Sequence, residues 1–156
     1  MTKKKLIDLL YELMKDSKRS DRELAKVVKV SQPTITRMRR TLEKSGYIRE
    51  YTVIPAFEKL GFEILALNFV EADLTSEFHE WLNKNSKIVF ACYGEGSHGR
   101  TILLASIHEN FTDYAEFANE LKKQFDSKSA SFTNFLSSLN VDTVKPFSLK
   151  GLKRSE

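Results

Sequence analysis

Residues 20–48, SDRELAKVVKVSQPTITRMRRTLEKSGYI, decide how the chain folds. Ser20 with Glu23 three residues on is a capping box, in which each residue satisfies a backbone amide at the start of a helix. The helix it opens runs through Leu24, Ala25, Val27 and Val28. Lys29 and Val30 then form a turn. Ser31 is placed to cap the next helix, whose first turn tolerates Pro33 because the amide that proline lacks would be unpaired there anyway. Ile35, Met38 and Leu42 recur at helical spacing, and Gly46 supplies the left-handed conformation that ends a helix. Upstream, Leu6, Leu9, Leu10, Leu13 and Met14 recur at three- and four-residue steps and predict another helix, to about Asp16. Three short helices with a tight turn before the last are expected.

At about 100° per residue, the helix expected over residues 32–45 carries Ile35, Met38 and Leu42 on one side. Pro33, Thr36, Arg37, Arg40 and Lys44 fall on the opposite side, with Gln32 and Arg39 on the flanks. A helix of this width fits the major groove of DNA, where arginine pairs with guanine and short polar side chains meet base edges. Helix N-termini also attract phosphate. The candidate DNA-contacting set is therefore Ser31, Gln32, Pro33, Thr34, Thr36, Arg37, Arg39, Arg40 and Lys44.

Beyond Gly46 the run YIREYTVI alternates and is rich in β-branched and aromatic residues, which predicts a short strand or wing ended by Pro55. AFEKLG is a connector. From Phe62 the pattern becomes FEILALNFVEA, SEFHEWLNKN, IVFACYG, RTILLASI, FTDYAEFANELKKQF and FTNFLSSL, in the order β-α-β-β-α-β. That order predicts a ferredoxin-like domain, with two helices on one face of a four-stranded antiparallel sheet. The fold class is α+β: a winged helix-turn-helix over 1–54, a linker over 55–61 and a ferredoxin-like domain over 62–156.

Charge follows this division. Residues 1–60 hold fifteen Lys plus Arg against eight Asp plus Glu, and residues 61–156 hold ten against thirteen. A basic half beside an acidic half suits a nucleic-acid-binding module joined to one that does not touch nucleic acid. No apolar run reaches membrane-spanning length, and Asp8 and Glu12 interrupt the first apolar stretch, so a cytoplasmic protein with no membrane partner is expected. The single cysteine, Cys92, excludes an internal disulfide or a multi-cysteine zinc site, and it is expected as a buried strand residue.

The stretch LIDLLYELMKDSKRSDRELAKVVKVSQPTITRMRRTLEKSGYIREYTVI resembles the N-terminal half of the Lrp/AsnC (feast/famine) regulators in their archaeal form. RSDRELAKVVKVS matches the second helix and turn, PTITRMRRTLEKSGYI the recognition helix, and Gly61 the end of the linker. The β-α-β-β-α-β half matches the family's effector and dimerisation domain in order and length. The resemblance implies a transcription factor that binds double-stranded DNA, dimerises through its C-terminal sheets and often assembles further. One departure lies in the recognition helix, where members often have Arg followed by an aliphatic residue and this chain has Met38 and Arg39.

YGEGSHGR places Gly94, Gly96 and Gly99 at dinucleotide-loop spacing, but the β-rich TILLASI follows where that motif needs a helix. A glycine-rich hairpin is expected instead. In the family this hairpin contributes to an effector pocket at the dimer interface, which makes Gly94, Glu95, Gly96, His98, Gly99 and Arg100 the candidate effector residues. The Asp that amino-acid-responsive members carry after the glycine is absent. Free amides and Arg100 suit an anion, so an acidic ligand is expected over a neutral amino acid.

His79, His98 and His108 have no second ligand at metal spacing, and no nucleophile-elbow or paired-carboxylate pattern argues for catalysis. No enzyme activity, cofactor or metal is expected. Two competing readings are a chromatin-organising DNA-binding protein and a scaffold reused as in siroheme decarboxylases, which resemble this family.

Overall fold

The computed structural model describes residues 3–72, 75–96, 99–125, 131–140, 144–145 and 147–152. The chain packs as two compact units: Met1–Ile54 with Lys145–Glu156, and Pro55–Val144. Residues 145–156, read from sequence as part of the second domain, group with the first.

The first unit is built on three helices, α1 (Lys3–Lys15), α2 (Asp21–Val28) and α3 (Gln32–Lys44). The capping box forms as the sequence predicts: the Ser20 hydroxyl accepts from the Glu23 amide at 3.3 Å, and the Glu23 carboxylate accepts from the Ser20 amide at 2.8 Å. Lys29, at φ +56°, supplies the left-handed residue that turns the chain between α2 and α3, and Gly46, at φ +73°, follows α3. Ser31 holds the N-cap position of α3, but its side chain makes no capping bond. Its hydroxyl meets that of Thr34 at 2.8 Å instead. Leu9, Leu13, Leu24, Ala25, Val28, Ile35, Met38 and Leu42 form one core, the apolar stripes that the spacing predicts.

The expected strand over YIREYTVI does not form; residues 48–56 carry neither helix nor strand. No strand occurs among the other described residues of this unit, and a strand without a partner leaves its backbone groups unpaired. The segment is instead tied to α3 by a side chain: the Tyr51 hydroxyl donates to Glu43 Oε1 at 2.9 Å.

The second unit opens with a 3₁₀ turn (Phe57–Leu60) closed by Gly61 at φ +85°. It continues as β1 (Ile64–Glu71), α4 (Ser76–Lys84), β2 (Ile88–Gly96), β3 (Gly99–His108), α5 (Phe111–Lys123) and β4 (Ser131–Ser138). The sheet order is β2-β3-β1-β4, and each neighbouring pair is antiparallel. This is the predicted ferredoxin-like arrangement. Thr75 and Asn110 cap α4 and α5 through their side chains.

Alternation sorts β1 between two environments. Ala66 and Val70 join Phe78, Ile102, Leu104, Tyr114, Phe117 and Leu121 in the core beneath the helices. Leu65, Leu67 and Phe69 alternate with them and belong to the opposite face. Cross-strand register puts Leu67 beside Ala105 and Phe135, and Phe69 beside Leu103 and Thr133. Phe69, Phe90 and Phe135 are 38%, 54% and 59% exposed.

Polar side chains also enter this core, and they bond one another. Tyr114 donates to Asn68 Oδ1 at 3.1 Å, Asn68 donates to Ser106 Oγ at 3.4 Å, and Ser106 Oγ lies 2.9 Å from His108 Nε2. Asn134 donates to the Tyr114 hydroxyl at 2.6 Å.

Candidate nucleic-acid interface

The geometry of α3 follows from where its apolar residues must go. Ile35, Met38 and Leu42 are fully buried, which rotates the helix so that Arg37, Arg40 and Lys44 face outward, together with Ser31, Gln32 and Pro33. The side chains of Arg37, Arg40 and Lys44 make no hydrogen bond or ion pair with other described residues. Three cations on one face, none neutralised internally, attract an external anion.

Thr36, read from the helical wheel as outward-facing, and Arg39, read as flanking, both have partners within the unit. Both are half-buried, and both hydrogen-bond Asp21 at the start of α2. Thr36 Oγ1 donates to Asp21 Oδ2 at 2.6 Å, while Arg39 donates to Asp21 Oδ1 through Nε at 3.2 Å and Nη2 at 2.8 Å. Burial opposes the charge on Asp21, but the bonds from Thr36 and Arg39 and the Arg39 charge outweigh it and hold the carboxyl below its usual range. Arg39 also reaches the Tyr51 hydroxyl at 3.5 Å. The two side chains therefore lock α2, α3 and the following segment together. Asp21 was absent from the sequence-derived set because its role depends on side chains 15 and 18 residues away, a contact that no local pattern encodes. Thr34, the remaining member of the set, is half-buried beside Ser31.

At the β2–β3 hairpin, Gly96 pairs with Gly99 and Glu95 with Arg100. Gly94 and Glu95 are exposed. A side chain at Gly96 would meet Thr101 Oγ1 at 2.1 Å and force that side chain to move, so hairpin packing by itself favours glycine there. His98 lies outside the described residues, as does the Arg100 side chain. A strand follows the loop, which removes the helix N-terminus that a dinucleotide loop needs.

The described histidines are accounted for by neighbouring side chains. His79 Nε2 lies 3.1 Å from the Tyr93 hydroxyl. His108 is buried between Ser106 and Asp113, with Nδ1 3.4 Å from Asp113 Oδ2. Ser106, His108 and Asp113 thus follow one another in the manner of a hydrolase triad, but Ser106 is fully buried and shares its hydroxyl with Asn68. That chain of groups is structural. Cys92 is half-buried in β2, less covered than the sequence suggests. Among the described residues, no cluster of His, Cys, Asp and Glu could hold a metal ion, and no helix is long and apolar enough to cross a membrane.

The winged helix-turn-helix DNA-binding family matches residues 3–49. The HTH-type transcriptional regulator LrpC of Bacillus subtilis is 36% identical over 74 residues, 47% of this chain and 50% of LrpC. The chain thus spans about half the length of that relative in the sequence match. An uncharacterised HTH-type transcriptional regulator of Pyrococcus abyssi is 29% identical over 65% of this chain and 68% of its own length. The solved structure of LrpC superposes with a TM-score of 0.70 at 25% identity, over 92% of this chain and 99% of that one. An AsnC family transcriptional regulator from Agrobacterium tumefaciens gives a TM-score of 0.75 at 18% identity, over 96% and 95%. The chain thus matches the winged helix-turn-helix DNA-binding family over residues 3–49 and shares the whole-chain fold of LrpC and of the AsnC family regulator.

Proposed function

We propose that the chain is a cytoplasmic, sequence-specific DNA-binding transcriptional regulator whose helix α3 enters the major groove. The observation that carries this reading is the outward face of α3, where Arg37, Arg40 and Lys44 stand exposed without side-chain partners among the described residues. Arg37 and Arg40 contact base edges, Lys44 contacts phosphate, and Thr36 and Arg39 hold the helix at its angle. Ser31, Gln32, Pro33 and Thr34, at the N-terminal end of the helix, sit where backbone contacts form in helix-turn-helix complexes.

The second unit is proposed to make the protein a homodimer at least. Its helix-free sheet face presents Leu67, Phe69, Leu103, Phe90 and Phe135, and an apolar face of this kind is a protein-interaction surface. An isologous pair of such faces buries both. Equilibrium sedimentation at micromolar concentration is expected to give a dimer or larger; monomer alone would contradict it. The hairpin residues Gly94, Glu95, Gly96, His98, Gly99 and Arg100 are proposed to hold a small effector with an acidic group. Calorimetry with small carboxylates and phosphates should show binding, whereas tight binding of leucine would contradict it.

Footprinting on genomic fragments tests the regulatory reading. It should show protection of defined half-sites spaced by whole helical turns. Uniform protection without preferred sites would favour the chromatin-organising reading instead.

A further inference from the structure

Charge in this molecule follows the folded units more sharply than the sequence halves. Residues 1–54 hold fourteen Lys plus Arg against seven Asp plus Glu, and residues 145–156 add four against one, so the unit they form carries +10. Pro55–Val144 holds seven against thirteen, a net of −6. Residues 145–156 are thus a basic piece of sequence, and its described residues, 145 and 147–152, group with the helix-turn-helix across ninety intervening residues.

Apolar and basic residues intermingle in that piece: Phe147 and Leu149 lie between Lys145 and Lys150. Phe147 and Leu149, 73% and 47% exposed, line the rim of a groove of about 490 Å³ together with Leu10, Leu13 and Met14 of α1 and Tyr51. Arg49 and Lys150 line the same groove, and Lys145, Lys150 and Arg49 are exposed. Tyr51 hydrogen-bonds Glu43 on the C-terminal half of α3, which ties the groove to the helix proposed to read DNA. Long basic side chains characteristically lay their stems on apolar surface and keep the charge in water.

We infer that the segment around Lys145–Lys150 is a second DNA-contacting arm, anchored on the helix-turn-helix unit by Phe147 and Leu149 and bonding backbone phosphates through Lys145 and Lys150. The arm rests on the reading of α3 as the recognition helix and extends it. Such contacts add affinity without sequence information and make it dependent on salt. Arg49, on the same groove, adds a third cation to this strip. The arm joins DNA affinity to the end of the chain rather than to the helix-turn-helix alone, which the sequence division at residue 54 does not suggest.

The test uses the full-length protein and a duplex carrying a footprinted site, with affinity measured from 50 to 200 mM salt. The Lys145→Gln/Lys150→Gln variant should lower the salt slope by about 1.8, roughly 0.9 for each lost phosphate contact. Over that salt range its affinity should fall about tenfold less than that of the unsubstituted protein. Footprint boundaries and sequence preference should not change. Phe147→Ser/Leu149→Ser keeps both lysines but removes the anchor, and should shift the slope in the same direction with an unchanged circular dichroism spectrum. An unchanged slope in the lysine variant, alongside weakened binding in Arg40→Ala, overturns the arm and leaves the reading of α3 standing. Absence of any DNA binding by the unsubstituted protein overturns both. A slope change accompanied by altered sequence preference also overturns the arm, because a phosphate contact carries no base information.

Discussion

Arg37 and Arg40 in the first unit, and Asn68, Ser106, His108 and Tyr114 in the second, show the two ways this chain places polar side chains. On α3, Arg37, Arg40 and Lys44 are exposed and unpaired among the described residues, and the one arginine that turns inward, Arg39, is held by Asp21. In the second unit the polar groups are buried and bond each other in series. Unpaired charge on a surface costs little and attracts a partner, whereas an unpaired buried group costs the full desolvation penalty. The first arrangement leaves the interaction for a partner to complete; the second completes it within the fold save at His108 Nδ1, which is buried without a hydrogen-bond partner among the described residues. Substitutions in the two units are therefore expected to fail in different assays.

The largest effect on stability is expected at Phe78, which is fully buried and packs on Phe125 at 4.6 Å and on Trp81 at 5.8 Å between ring centroids. Phe78→Ala should destabilise the second unit by about 3–5 kcal/mol, read from denaturant unfolding. A loss below 1 kcal/mol would mean that this core is not the one described.

Asp21→Ala comes next and sharpens the contrast within the first unit. It removes the charged acceptor of the half-buried Arg39 and Thr36 and leaves only the longer bonds to Tyr51 and to the Gln32 carbonyl, a loss of about 1–3 kcal/mol. Thermal unfolding should register it, and DNA affinity should fall as the angle of α3 loosens. Full stability in this variant would show that the network does not hold the helices.

The pH dependence is expected to come mainly from the second unit. Burial pushes the His108 imidazole below its ordinary value, the Asp113 carboxylate opposes this, and the Lys87 charge adds to it. The native state therefore binds fewer protons at His108 than the unfolded state does. The stability this confers is present above the ordinary histidine pKa of about 6.5 and is lost as pH falls below it. Urea midpoints should drop between pH 7 and pH 5, and His108→Gln should flatten the drop. An undiminished drop in that variant would remove His108 as its source.

What the sequence made legible divides along physical lines. Helix spacing, the Ser20–Glu23 box, Gly46 and Gly61, and the strand alternation are local signals, and the elements they predict are found in place. The outward turn of Arg37, Arg40 and Lys44 was legible for the same reason, since burying Ile35, Met38 and Leu42 leaves one orientation. The bonds that Thr36 and Arg39 make to Asp21 were not legible, because Asp21 is remote from both in sequence. The run YIREYTVI has the composition of a strand, but pairing requires a second strand that composition cannot supply. The grouping of residues 145–156 with the first unit likewise has no periodicity in the sequence to announce it.

The central claim is that α3 reads DNA through its free arginines. Titration of a footprinted duplex with the Arg37→Ala and Arg40→Ala proteins tests it most directly. The account predicts that each variant loses about 1–3 kcal/mol of specific binding and relaxes discrimination at one base position, with unfolding behaviour unchanged. Specific affinity undiminished in both variants would take α3 out of the groove and contradict the account.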